Sequence, residues 1–472
     1  MFTQIVLAGF EILTKAAAPS AFHDYGHQFD VPRCHENTRV AIMEKINDWV
    51  DLVIEIVAFV MWLYGAAGAG KSAIARTMAE SLHERQQLLA TFFFSRADSS
   101  RNTIKSVIAT LAYNIALSVP ESYHIITSMI EKDPHIFHRP FAHQLEQLIL
   151  RPLQQLTQQD VIYPTVIVID ALDECLNQRE RTALLHAIAR AAGNSTPLKF
   201  LITSRPEVPI ARVFNATPVA EVSARHSLDD KPESIEDVKY FLSAKFDEIK
   251  RTHPSRRHIP HDWPSPQVKA DLVQKSSGQF IYPATIIRYI SSPRHNSMLR
   301  LEIILRLRPL SGESPFAQLD ALYRYILLSC EDVELALRII GVCLLPTQEI
   351  AVPWDKDNYC AFPYEISTPK NTEQMLGLHP GDVQRGIEEL GSLIEYKDDD
   401  TKLRVLHASL FDFLSDPTRF SGLPFNLAAI HTDLAIWSSY LNPLQDNVQC
   451  ESDVLYTCTT YFLYWECLVK LC

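Results

Sequence analysis

Apolar positions in the first half of the chain fall into two alternating patterns: short unbroken runs, and longer stretches with an apolar residue every three or four positions. An unbroken run suits a strand buried on both faces, and the longer spacing suits a helix with one apolar stripe. The longest run, Leu52 to Tyr64, carries Glu55 and is too short and too charged to span a bilayer. It predicts a buried strand ending at Tyr64, with residues 50–57 set aside as a separate element or insert. A helix is expected over 71–86, a strand over Leu88 to Arg96, a helix over Thr103 to Val119 and a helical passage over 141–158. The β-branched run Val166 to Ile169 reads as a strand, RERTALLHAIARAAG as a helix stopped at Gly193 and Asn194, and LKFLITSRPE as another buried strand. A short fifth strand is expected at Val219 to Ser223. Such alternation implies an α/β fold: an open parallel sheet flanked by helices, which binds ligands beyond the carboxyl ends of its strands.

The second half carries weaker signals. Residues 224–266 predict one amphipathic helix and then a basic, proline-rich segment, KRTHPSRRH, read as a solvated loop in preference to a nucleic-acid patch. Helices are expected over 267–310 and 316–345. Segment 350–400 reads as irregular because of Pro353, Pro363, Pro369 and Pro380, and a helix, an acidic turn and a strand then follow, a pattern compatible with a winged helix. The C-terminal YTCTTYFLYWECLVKLC is aromatic and apolar enough to need a covering surface. No repeat period is legible over 230–472.

Candidate chemistry sits where the pattern changes. GAAGAGKS, Gly65 to Ser72, joins the first strand to the first helix of the sheet. Gly65, Gly68, Ala69 and Gly70 let the backbone turn tightly around an anion, and the helix N-terminus favours negative charge there. Lys71 would reach the β- and γ-phosphates of a nucleotide, and Ser72 would bind Mg²⁺. Asp170, at the end of a strand about a hundred residues on, would serve as the second Mg²⁺ partner. Asp173 or Glu174 would orient or deprotonate an attacking water, and the residues alone leave the choice open. Arg205, after the next strand, would sense the γ-phosphate, with Thr203 and Ser204 as polar alternatives.

Composition narrows the partners. The 472 residues allow several domains, and a net charge of −12 argues against nucleic acid as the main ligand. Nine cysteines without paired zinc spacing read as reduced thiols of a cytoplasmic protein, and no transmembrane segment is expected.

In order and separation, GAAGAGKS, VIVIDALDEC and FLITSRPE resemble the NACHT nucleoside triphosphatases of the STAND class. With RCHENTRVAIMEKINDWV, FFFSRADSSRNTIKSVIATLAYNIA, SSGQFIYPATIIRYI and LHASLFDFLSDPTR, the chain is similar to the fungal NLR-like members. The resemblance implies a signalling switch that binds ATP or GTP with Mg²⁺, hydrolyses it slowly, and assembles with like subunits or a protein partner. A hydrolysis-deficient nucleotide-binding scaffold is the alternative. The implied organisation is a lead segment over 1–50, a P-loop NTPase domain over 51–225, a helical domain over 226–315, a winged-helix-like domain over 316–425 and an apolar tail over 426–472. His407 would then be either a satisfied structural histidine beside an apolar strand, the commoner case, or a phosphate contact from the winged-helix-like region. Ala171 replaces the glycine that many members carry after the first acid, and its methyl is expected to be tolerated. With no effector domain before the loop and no repeat array after it, the chain is expected to be a partial member.

Overall fold

The unbroken apolar runs form one parallel sheet. The computed structural model describes residues 2–25, 32–51, 58–191, 197–229, 232–309, 316–345, 350–355, 358–362, 367–396, 398–399, 401–420 and 422–441. The 52–57 part of the first apolar run, the helix stop at Gly193 and Asn194, Pro363 and the tail from residue 442 lie outside them. The strands β1 (Val60–Tyr64), β2 (Leu88–Phe93), β3 (Val166–Asp170), β4 (Lys199–Ser204) and β5 (Ser223–Ser227) run side by side in the order β2–β3–β4–β1–β5. Every pairing is parallel.

Two cores follow from the two-residue period of the strands. Val60, Trp62, Ile167, Ile169, Phe200 and Ile202 face one core, while Met61, Leu63, Val166, Val168 and Leu201 face the other. The second is closed by α2 (Val40–Val50) and α3 (Lys71–Glu84), through Ile46, Trp49, Ile74 and Met78. The first is closed by α1 (Phe2–Ala16), α4 (Val107–Ser118), α5 (Pro120–Lys132), α6 (Phe141–Leu145), α7 (Arg151–Gln158), α8 (Gln178–Ala191) and α9 (Val208–Asn215). A π-helical turn, Glu146–Leu150, joins α6 to α7. Leu13 of α1 is fully buried in this core, Phe10 stacks on Tyr113, and Ala18 N–H donates to Thr110 Oγ1 at 2.9 Å. On the other side, Lys199 Nζ donates to the last carbonyls of α2, Trp49 at 2.9 Å and Val50 at 2.6 Å, which seals that helix end against the sheet.

The chain divides into two compact units, Met1–Ile303 and Ile304–Cys472. The first also holds α10 (Pro232–Thr252), α11 (Pro266–Ser276) and α12 (Ile281–Ile290), and α13 (Ser297–Arg306) carries the chain into the second. In the second, α14 (Ala317–Leu328) and α15 (Val333–Leu344) precede an antiparallel hairpin, β6 (Ile350–Asp355) with β7 (Asn358–Phe362). Then come α16 (Pro369–Leu376), α17 (Asp382–Ile387), a short hairpin β8 (Ile394–Glu395) with β9 (Arg404–Val405), α18 (Ala408–Ser415), α19 (Pro417–Phe420) and α20 (Leu427–Leu441). Tyr323 of α14 and Ser409 of α18 share a buried hydrogen bond of 2.9 Å, and Arg419 pairs with Asp320 at 2.6 Å.

Several expectations shift. The fifth strand begins at Ser223, because Val219–Val222 forms a 3₁₀ turn that buries Val219. The polar SARHS can be a strand because it lies at the sheet edge and is only half-buried. Helix α4 starts four residues later than the apolar spacing suggested, and β2 ends at Phe93. Segment 350–362 is a hairpin despite Pro353, since both strands of a two-stranded ladder are edges and tolerate a missing N–H. In the basic segment Arg251, Arg256 and Arg257 are exposed as expected, but the backbone is held by buried His253, which meets Ser255 N–H and the Ser292 carbonyl. Cys34, Cys175, Cys330 and Cys343 are free thiols, while the cysteines from Cys450 onward lie outside the described residues. Among the described residues no helix is long and apolar enough to cross a membrane.

Candidate phosphate-binding site

The loop Gly65 to Ser72 leaves the carboxyl end of β1 and enters α3 with Gly70 as its N-cap. Gly70 has φ +89, and a Cβ built there would meet nothing within 4 Å, so open space lies in front of it. Among the described residues, the N–H groups of Gly68, Gly70, Lys71 and Ser72 have no acceptor within the protein. Unpaired N–H groups at a helix start, facing open space, form an anion cradle. Lys71 curls back over the loop, its Nζ donating to the Gly65 carbonyl at 2.7 Å and the Ala66 carbonyl at 2.8 Å. Burial lowers its pKa, and Asp173 opposes that shift.

Gly68 meets a different constraint from the one expected. Its φ is +77, and a Cβ would fall 2.1 Å from Ile281 Cγ2 of α12. Ile281 N–H also donates to the Gly68 carbonyl at 3.3 Å, so glycine is needed here for protein packing. Arg39, buried at the start of α2, adds a second grip. It donates to the Ala69 carbonyl at 2.8 Å and to Ser234 Oγ of α10 at 2.6 Å, and lies over the Phe280 ring at 4.8 Å.

The order β3–β4–β1 sets the remaining groups in a row. Asp170 ends β3, buried, and accepts from Thr203 Oγ1 of β4 at 2.5 Å. Burial raises its pKa, while hydrogen bonding from Thr203 and from Ser72 pulls the other way, so the loop serine and the strand-end acid share one neighbourhood. Thr203 also accepts from Ala171 N–H at 2.9 Å. Ser204 Oγ accepts from Trp62 Nε1 at 2.8 Å and donates to the Arg205 carbonyl. Both hydroxyls are therefore buried and already bonded, which leaves Arg205 as the polar group at this strand end that extends from the core.

Asp173 and Glu174 are in different situations. Asp173 accepts from Arg205 N–H at 3.0 Å and pairs with Arg205 Nε at 3.1 Å. Glu174 accepts from Arg96 N–H, just past β2, at 3.0 Å. Burial and then the neighbouring Asp173 carboxylate push its pKa up from 4.5 to about 7. The site thus unites Lys71, Ser72, Asp170, Asp173, Glu174 and Arg205, all anticipated from sequence. Arg39, Arg96 and Asp229, which accepts from Ala66 N–H at 2.8 Å, were not anticipated. Arg39 and Arg96 lie in segments noted only for their resemblance or as a strand end, and no local pattern marks Asp229. His407 stands directly before α18 in the second unit.

A protein-family model, the N-terminal region of nephrocystin 3, matches residues 43–205. No curated protein matches the chain. Among solved structures, a Walker-type ATPase of Pyrococcus abyssi is 14% identical, with 80% of this chain and 97% of that one covered and a TM-score of 0.39. The ORC2 protein of Aeropyrum pernix, in ADPNP and ADP complexes, is 11% identical, with 89% and 99% covered and a TM-score of 0.36. The ORC1 protein of the same organism, in complex with DNA, is 14% identical, with 82% and 92% covered and a TM-score of 0.33.

Two predictions follow from this geometry. Ala171 sits at φ 56 and ψ 48, a left-handed conformation that its methyl resists. Ala171→Gly should raise stability by about 0.5–1 kcal/mol in denaturant melts. The second concerns Glu174, whose carboxyl binds its proton more tightly folded than unfolded. Its contribution to nucleotide-free stability is greatest below pH 4.5 and is lost as pH rises through about 7. Chemical denaturation at several pH values should show that decline in the wild type and a flatter profile in Glu174→Gln.

Proposed function

We propose that this chain is a nucleotide-operated switch of the NACHT, STAND-class kind, binding ATP or GTP with Mg²⁺ and hydrolysing it slowly to control conformation or assembly with like subunits. The observation that carries the reading is the convergence of the anion cradle, Lys71, Ser72 with Asp170, and the Asp173–Arg205 pair at the ends of three adjacent strands. The cradle N–H groups and Lys71 would hold the phosphates. Arg205, kept in place by Asp173, would meet the γ-phosphate.

Ser72 and Asp170 would hold Mg²⁺, which commonly takes one or two protein ligands and completes its shell with water and phosphate oxygens. Their shared neighbourhood fits that ion, and among the described residues no cluster of three His, Cys, Asp or Glu suggests another metal. When bound, the ion neutralises phosphate charge.

Hydrolysis requires a water oxygen to attack the γ-phosphorus as the bond to the bridging oxygen breaks, releasing nucleoside diphosphate and inorganic phosphate. Asp173 is committed to Arg205, so Glu174 is the residue assigned to receive the proton from that water. With its pKa near 7 and one oxygen held by Arg96 N–H, Glu174 is only partly ionised at neutral pH. A carboxyl poised near the working pH is suited to accept a proton, so the slow turnover proposed here rests on the resemblance to STAND-class switches and not on Glu174.

Lys71→Ala should weaken Mg·ATP or Mg·GTP binding by on the order of a hundredfold or more in isothermal titration. Retained affinity would sink the proposal. Phosphate release by wild type should be slow but measurable, and lost in Glu174→Ala and in Asp170→Ala. A wild type that binds but releases no phosphate would be a scaffold instead.

A further inference from the structure

We propose that Asp229 is a positioning residue of the phosphate loop, an inference that rests on the nucleotide-binding reading above. Asp229 lies just past β5, 163 residues beyond the N–H group it holds. Its place is fixed from both sides. Leu228, buried in the core under α2 and α3, donates its N–H to the Tyr64 carbonyl at 2.8 Å and so carries the β1–β5 ladder one step further. Asp229 N–H meets Ser227 Oγ at 3.2 Å.

From there Oδ1 accepts from Ala66 N–H at 2.8 Å. The Ala66 carbonyl in turn accepts from Lys71 Nζ at 2.8 Å and from Ala69 N–H at 3.2 Å. Ala66 is thus the point about which the first turn of the loop is fixed, with Asp229 its partner from outside the loop. Gly65 is matched to the same carboxylate. A Cβ there would lie 3.1 Å from Asp229 Oδ1 and 3.1 Å from Leu228 Cβ, so a side chain at 65 would push the acid away. The carboxylate also acts electrostatically on Lys71 and on Arg39, the two cations that hold the loop's carbonyl oxygens.

What Asp229 contributes is an acceptor in a set position. Its negative charge, by contrast, opposes a polyphosphate nearby. The two effects separate in variants: Asp229→Asn keeps an oxygen acceptor and drops the charge, while Asp229→Ala drops both. By isothermal titration with Mg·ATP and Mg·GTP, Asp229→Ala should bind about tenfold more weakly or worse, as expected for a lost charge-assisted hydrogen bond. Asp229→Asn should match wild type or bind more tightly.

Amide hydrogen exchange at Ala66 without nucleotide gives a readout independent of binding. It should be protected in wild type and in Asp229→Asn, and about tenfold faster in Asp229→Ala with unchanged melting temperature. Equal affinity and equal Ala66 exchange in wild type and Asp229→Ala would overturn the inference, as would Asp229→Asn behaving like Asp229→Ala. If the alanine variant does not fold, Asp229→Asn decides alone, since loss of Ala66 protection there overturns it. A wild type that binds no nucleotide while Ala66 exchange follows the expected pattern would instead overturn the nucleotide reading and leave the loop contact standing.

Discussion

A carboxylate buried at the end of a parallel strand must find its hydrogen bonds inside the protein, and Asp170 finds them because β3 and β4 end in step. The register pairs Ile169 with Ile202, so Asp170 comes level with Thr203, and pairs Tyr64 with Ser204 on the other side of β4. The tip of β4 therefore stands between the phosphate loop and the acids. Thr203 turns towards Asp170, Ser204 towards Trp62, and Arg205 leaves the sheet at the level of Asp173. A one-residue slip of β4 would exchange these directions and separate the charges.

The same register explains how much could be read from sequence. β1, β3 and β4 are buried on both faces, so each has a largely apolar run, and the chemically active residues stand at its carboxyl end or in the segment that follows. Asp170 and Arg205 were legible because they close or directly follow such a run, and Lys71 and Ser72 because the glycine loop after β1 announces them. β5 is half-buried at an edge, where polar residues are allowed, and the apolar Val219 and Val222 beside it drew the expectation four residues too early. Arg39, Arg96 and Asp229 act through long-range contacts, and nothing in their neighbours' spacing records a partner 30, 78 or 163 residues away.

Charge at the site is balanced by pairing rather than by number. Lys71 is buried with its ammonium on backbone carbonyls, Arg205 is tied to Asp173, and Asp170 is tied to Thr203. Burial, and then the Asp173 carboxylate beside it, push the Glu174 pKa up to about 7. The choice between Asp173 and Glu174, open in the sequence, therefore turns on the arginine. An acid that holds Arg205 in position is poorly placed to accept a proton as well, and for that reason the proposed mechanism gives that task to Glu174.

The glycines of the loop divide their work in a way the motif conceals. Gly70 opens onto space that an anion can enter, whereas Gly68 makes room for Ile281 of α12 and Gly65 makes room for Asp229. Two of the three thus serve contacts with segments more than 160 residues downstream, and Arg39 ties Ala69 to Ser234 of α10 in the same way. A loop gripped at Ala66, Gly68 and Ala69 by the β5 end, α12 and α2 cannot shift around a phosphate without working against those contacts. In the proposed switch, this coupling is the route by which differential contacts at the phosphates would bias the arrangement of α10 and α12.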